Sequence, residues 1–186
     1  MRVDQVDPAA MTDDQRSLYE QFASGRRAAP DSPFSLVGPD GRLQGPPAVW
    51  MLSPRFGLAL QHVGGAVRFG SQLPARACEI AILLVAHHQR SPCELYAHRL
   101  AGAAAGLSEA DLAALADGSL PSSASDVEAA VFRTTRALLA TGTLTEEEFA
   151  GAVAVLGEGG LFELVTIAGW YTMVAWQLAV FDVRPS

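Results

Sequence analysis

Within residues 76–107 stand Glu79, Ser91, Glu94 and His98, at spacings that could build one buried acid–base site. Glu94 and His98 are four apart, so on a helix their side chains share a face, where a carboxylate can orient an imidazole and raise its basicity. Proton transfer is the chemistry of such a pair. A second use competes for the same residues, because Ser91-Pro92-Cys93-Glu94 has the form of a capping box in which Glu94 bonds a backbone amide. Glu79 lies among Ala77, Ile80, Ala81, Ile82, Leu83 and Leu84. Alone on such a helix a carboxylate is expected at the exposed edge; buried with a partner, it would have a raised pKa and act as an acid or base near neutrality.

The remaining candidates are more scattered. Arg68 stands before the turn at 70–74, where its guanidinium could grip a substrate carboxylate or form a surface ion pair. Trp170, Tyr171 and Trp176 could line a pocket or belong to core and interface. Cys93, near a helix N-terminus, is expected to be the more reactive thiol, and Cys78 a small core residue. They form no dithiol motif. His87 and His88 end a helix, where an imidazolium suits the dipole. With His98 they match no zinc spacing, so no metal is expected. His62, on an apolar helix, reads as partly buried core.

These residues have to be held by helices. Ser/Thr-x-x-Glu/Gln/Asp boxes mark helix starts at Thr12, Ser91, Ser108, Ser125 and Thr145. The helices they open are expected to reach about Ala23, Gly106 and Gly118 in the first three cases. Residues 25–47 are rich in Gly, Pro, Ser and Asp and read as a long ordered loop. From Ala48 to about Phe69 the helical period returns, restarted at Ser53-Pro54, and Pro74 opens the next helix. A break at 157–160 precedes an apolar helix at 161–181. No strand pair or repeat is visible, so the chain reads as one all-α domain over 1–186, with seven or eight helices.

Composition narrows the function classes. Apolar residues make up 49% of the 186 and charged residues 18%, more core-forming surface than a small monomer needs, which suggests a homo-oligomer. A net charge of −7 argues against a nucleic-acid partner. All 13 cationic residues are Arg, which removes lysine Schiff-base chemistry. The acidic, polar start has no signal-peptide form, so a soluble cytoplasmic protein is the expectation. Residues 164–181 carry no charge over a length that could span a bilayer. Thr166, Gly169, Tyr171, Thr172 and Gln177 interrupt that run and no basic cluster flanks it, so it reads as a core helix, with no membrane role.

The run LPARACEIAILLVAHHQRSPCELYAHRLAGAAAGLSEADLAAL, residues 73–115, resembles the carboxymuconolactone decarboxylase family, whose relatives include alkylhydroperoxidase-D-type peroxidases. Gly41 to Pro46, Leu52-Ser53-Pro54, Arg68-Phe69, Leu156-Gly157-Glu158 and Gly169-Trp170-Tyr171 extend the likeness over most of 12–183. In the peroxidase branch a helix glutamate precedes Cys-x-x-Cys-x-x-x-His. Here Glu79 matches the glutamate, Ser91 and Glu94 stand at the two cysteine positions, and His98 matches the histidine. Both redox sulfurs are therefore missing. Cys93 falls between those positions, about 100° around the helix from Glu94. The decarboxylase branch reads Tyr-Glu-x-x-x-His, and the present chain keeps Glu94 and His98 but has Cys93 for the tyrosine.

The resemblance implies an all-helical bundle assembled as a trimer or hexamer, with a site open to completion by partner chains. It implies cofactor-free acid–base chemistry, decarboxylation foremost, on a small carboxylated lactone or related ring-cleavage metabolite. His98 would move the proton, Glu94 tune it and Glu79 act as second acid/base. Arg68, Ser91, Cys93 and Tyr171 would surround the substrate. The alternatives are a thiol peroxidase acting through Cys93 alone, and a non-catalytic helical oligomer that binds a small ligand.

Overall fold

In a computed structural model, residues 1–24 and 34–185 are described, and they fold into helices joined by turns and loops. After a 3-10 turn at Pro8–Ala10 come α1 (Asp13–Ala23), α2 (Pro46–Trp50), α3 (Pro54–Phe69) and α4 (Ala75–His88). Then follow α5 (Pro92–Ala104), α6 (Glu109–Ala116), α7 (Asp126–Thr141) and α8 (Glu146–Val180). The all-α expectation holds, and the described residues contain no strand beyond an isolated bridge between Val37 and Leu43. Of the expected long loop at 25–47, residues 25–33 lie outside the described residues and the last two already belong to α2.

Four of the five expected capping boxes form, at Thr12, Ser108, Ser125 and Thr145, each with reciprocal bonds between cap and third residue. The fifth does not. Ser91 is the N-cap of α5, yet its side chain makes no capping bond. The reason lies in the tight α4–α5 turn: the Ser91 amide that Glu94 would have capped already donates to the Ala86 carbonyl at 3.0 Å. Glu94 is thereby released for another partner.

α4 is the centre of the molecule. Ala77 and Glu79 to Ala86 are all buried, so this helix has no solvent face along its middle turns. It packs against α5, α7 and α8. Its Ile80, Leu83 and Val85 join Leu112 and Leu115 of α6, Val131 and Phe132 of α7, and Leu164 and Ile167 of α8 in the larger core. Each such Leu or Ile stabilises the fold by about 1.5–3 kcal/mol. A second core gathers Leu18 and Phe22 of α1, Val49 and Trp50 of α2, Cys93 of α5 and Val174 and Leu178 of α8. Trp170 packs against both cores.

The expected break at 157–160 is narrower than the glycine pattern suggests. Only Gly157 leaves helical geometry, with φ 69° and ψ 167°, and α8 resumes directly after it. That backbone region is open essentially to glycine alone. Gly157→Ala is expected to cost about 1–3 kcal/mol of unfolding free energy by chemical denaturation, from backbone strain; a Cβ there meets nothing within 4 Å. An unchanged midpoint would contradict the strained conformation.

After Gly157, α8 buries Leu161, Leu164, Ile167, Tyr171, Val174 and Leu178 and so acts as the expected core helix. It is also long and apolar enough to cross a bilayer by length and composition alone. Its outer side exposes Phe162, Val165, Trp176 and Val180.

Candidate active site

The α4–α5 turn brings Glu79 and His98 together, since each lies roughly two helical turns from it on antiparallel helices. His98 Nδ1 is 2.7 Å from Glu79 Oε2, and His98 Nε2 is 3.3 Å from Glu94 Oε2. The imidazole is thus held between two carboxylates. All three side chains are buried, at 3%, 4% and 5% exposure for His98, Glu79 and Glu94. On its far side Glu79 Oε1 accepts a hydrogen bond from Arg68 Nη1 at the end of α3. The Arg68 guanidinium also interacts with the Tyr171 hydroxyl. The Tyr171 ring stands edge-on to His98, with centroids 4.8 Å apart and planes at 86°.

Burial alone would strip the proton from His98, but hydrogen bonds to Glu79 and Glu94, followed by their charges, outweigh it and push the imidazole up to about 9. At neutral pH it is an imidazolium. Burial likewise acts to raise Glu79, and here too it loses: the His98 hydrogen bond and charge, with Arg68 behind, pull the carboxyl below its ordinary value. The sequence-based expectation of an exposed Glu79, or of a buried one with a raised pKa, is therefore corrected on both counts. Two cationic partners at one carboxylate decide the direction. Arg68, in turn, is no unengaged cation: its Nη1 is committed to Glu79.

The site opens on a cavity of about 120 Å³. Glu94 and His98 are on its wall with Arg68, and Trp50, Trp170 and Tyr171 supply aromatic surface. Glu79 is not among the described lining residues; it sits behind the histidine and positions it. Of the other expected site residues, Cys93 lies on the wall, whereas Ser91 is buried off it with an unpartnered Oγ. Trp176 is exposed and bonds Gln89.

Several wall residues were invisible as site residues in the sequence. Trp50 comes from the short α2 and is fixed by its Nε1 donating to Gln177 Oε1 of α8 at 2.8 Å. Phe34 stands against His98, with centroids 6.4 Å apart. Arg184 arrives from the segment after α8. Only long-range packing joins these to His98, and no local spacing signals it.

Three further expectations change. Cys93 is not the reactive thiol: burial, then the charge of Glu94, pushes it up to about 11, and its Sγ donates to the Val183 carbonyl at 3.2 Å. Those effects override the helix N-terminus. His62 is exposed rather than partly buried, because α3 turns that face outward. Cys78 is only half-buried, and burial raises its pKa as well. At pH 8, Cys93 in the folded protein should react with iodoacetamide on the order of 100-fold more slowly than in the unfolded chain. Mass spectrometry of the alkylated peptide reads this, and equal rates would mean an accessible thiolate.

Among the described residues, no group of three or more His, Cys, Asp or Glu side chains could hold a metal ion. No protein-family model matches this chain, and no curated protein matches it either. The chemistry of the site therefore rests on its own geometry.

Proposed function

We propose that the protein is a cofactor-free proton-transfer enzyme acting on a small carboxylated lactone or related ring-cleavage metabolite, with decarboxylation as its reaction. The observation that carries this reading is the buried His98 ring, held between the Glu79 and Glu94 carboxylates at the wall of an aromatic cavity. The sequence resemblance to carboxymuconolactone decarboxylases points the same way. A purely structural ion pair has no need of a cavity beside it.

In the proposed reaction the bond from the ring to the carboxylate breaks and CO₂ leaves. Its electron pair passes into the conjugated lactone carbonyl. A carbanion of this kind is quenched by a positioned acid, and His98 Nε2, the ring nitrogen on the Glu94 side, delivers the proton to carbon. Glu94 steers that N–H, while Glu79, fixed by Arg68, holds Nδ1 and keeps the ring charged. Solvent then reprotonates the imidazole. The assignment of Glu79 is accordingly to positioning, and the proton itself belongs to His98.

The test is incubation of the purified protein in D₂O, without added metal or cofactor, with carboxymuconolactone and related carboxylated lactones. Release of CO₂ with one deuteron gained at carbon is the expected result. Binding of these compounds without turnover would leave a ligand-binding helical protein in its place. The same reading includes assembly as a trimer or hexamer, which would cover the exposed Phe162, Val165, Trp176 and Val180 of α8.

A further inference from the structure

The inner end of the site is electrostatically balanced: Arg68 and His98 face the Glu79 and Glu94 carboxylates. It offers an incoming anion little net attraction. At the outer end, Arg184 is the other cation among the described lining residues, and its side chain is largely exposed. Among the described residues it pairs with Asp182, at 3.2 Å between exposed groups, an ion pair weak enough to yield to a ligand.

What holds Arg184 there is specific. α8 ends in a turn in which Asp182 adopts φ 49°, and the Val183 amide donates to Leu178 at 2.9 Å. These bonds reverse the chain over the end of its own helix. The residue before Arg184 is also bonded across to α5: Cys93 Sγ donates to the Val183 carbonyl, which ties the segment to the cavity wall.

We infer that Arg184, held at the cavity mouth by the Cys93 hydrogen bond to Val183, selects ligands that carry a carboxylate at their outward end. The inference rests on the proposal that the cavity takes a small carboxylated molecule. In a chain of net charge −7, an anionic ligand approaches against the overall field. A guanidinium at the rim offsets that repulsion where the ligand enters, and its fork fits a carboxylate. Arg184 and Cys93 are thus positioning and specificity residues, with the proton chemistry left to His98.

The experiment is a fluorescence titration, with Trp50 and Trp170 of the cavity wall as reporters, using 5-oxotetrahydrofuran-2-carboxylate and its methyl ester as a charged and uncharged pair. Wild type is expected to prefer the acid. Arg184→Gln should weaken the acid about fivefold while leaving the ester within about twofold, the scale of a partly exposed carboxylate contact. Cys93→Ala should show a smaller loss in the same direction, and Cys93→Ser, which keeps a donor, should restore the preference. Hydrogen exchange over 181–185 should be faster in Cys93→Ala and near wild type in Cys93→Ser. Equal weakening of acid and ester, no preference in wild type, or no binding of either compound would overturn the inference. Selective loss of the acid with no turnover by any variant keeps the inference and removes the proton-transfer reading. Turnover with an acid affinity indifferent to Arg184 does the reverse.

Discussion

Replacing His98 with Asn is expected to lower kcat/KM on a turned-over substrate by about 10²–10⁴-fold, the usual contribution of a positioned acid or base. The direction of the pH profile identifies which of the two it is. His98 is pushed up to about 9, so the acid form dominates at neutrality and the rate should hold level and fall through an alkaline limb near pH 9. A base would give a rate that rises there. Glu79→Gln should move the alkaline limb to lower pH, because one of the two groups that raise His98 loses its charge. A residue that merely fills space would leave the limb in place. Stability carries the same sign: the folded pKa lies above the ordinary 6.5, so His98 stabilises fully below pH 6.5 and its contribution is lost as pH rises through about 9.

Arg76→Met should lower stability by about 3 kcal/mol, since it strands two buried carboxylates. Arg76 Nη1 donates to Glu128 Oε2 at 2.7 Å, and Nη2 donates to Asp111 Oδ2 at 3.0 Å and to Ser123 Oγ at 2.7 Å. Asp111 and Glu128 are also the third residues of the boxes that cap α6 and α7, so one guanidinium pins two helix starts to α4. For a chain of this size the loss corresponds to a fall in Tm of roughly 6–12 °C by calorimetry. Adding Asp111→Asn and Glu128→Gln removes the stranded charges and should recover part of it, whereas additive losses would mean that Arg76 acts through packing. Backbone and side-chain bonds from Ser108 and Ser123, with Arg76, hold Asp111 well below its ordinary value. Its contribution is therefore present above pH 3.8 and is lost on acidification through the lower folded value.

The helices were legible because their starts are encoded locally. Thr12, Ser108, Ser125 and Thr145 each carry a complete box within four residues, and each forms. Ser91 carries the same pattern and fails, because its amide is consumed by Ala86 across the α4–α5 turn. The competition between capping and pairing with His98 for Glu94 is decided by that one bond, which joins two helices and has no sequence signal. The pairing of Glu94 with His98 was legible from their spacing. The burial of Glu79 was not, since it depends on Arg68 from α3 and His98 from α5 arriving at its two oxygens. Cys93 misled for a related reason: a helix N-terminus is a local feature, but the burial and the Glu94 charge that raise its pKa come from folding. Trp50, Phe34 and Arg184 reach the cavity from segments remote from His98 in the chain.

The imidazolium state of His98 at neutral pH, locked between Glu79 and Glu94, underlies the whole proposed mechanism. It is tested most directly by an NMR titration of the His98 ring nitrogens in the folded protein. A midpoint near 9 is expected, and it should fall when Glu79 is replaced by Gln. A midpoint near the ordinary 6.5, unmoved by that substitution, would contradict it.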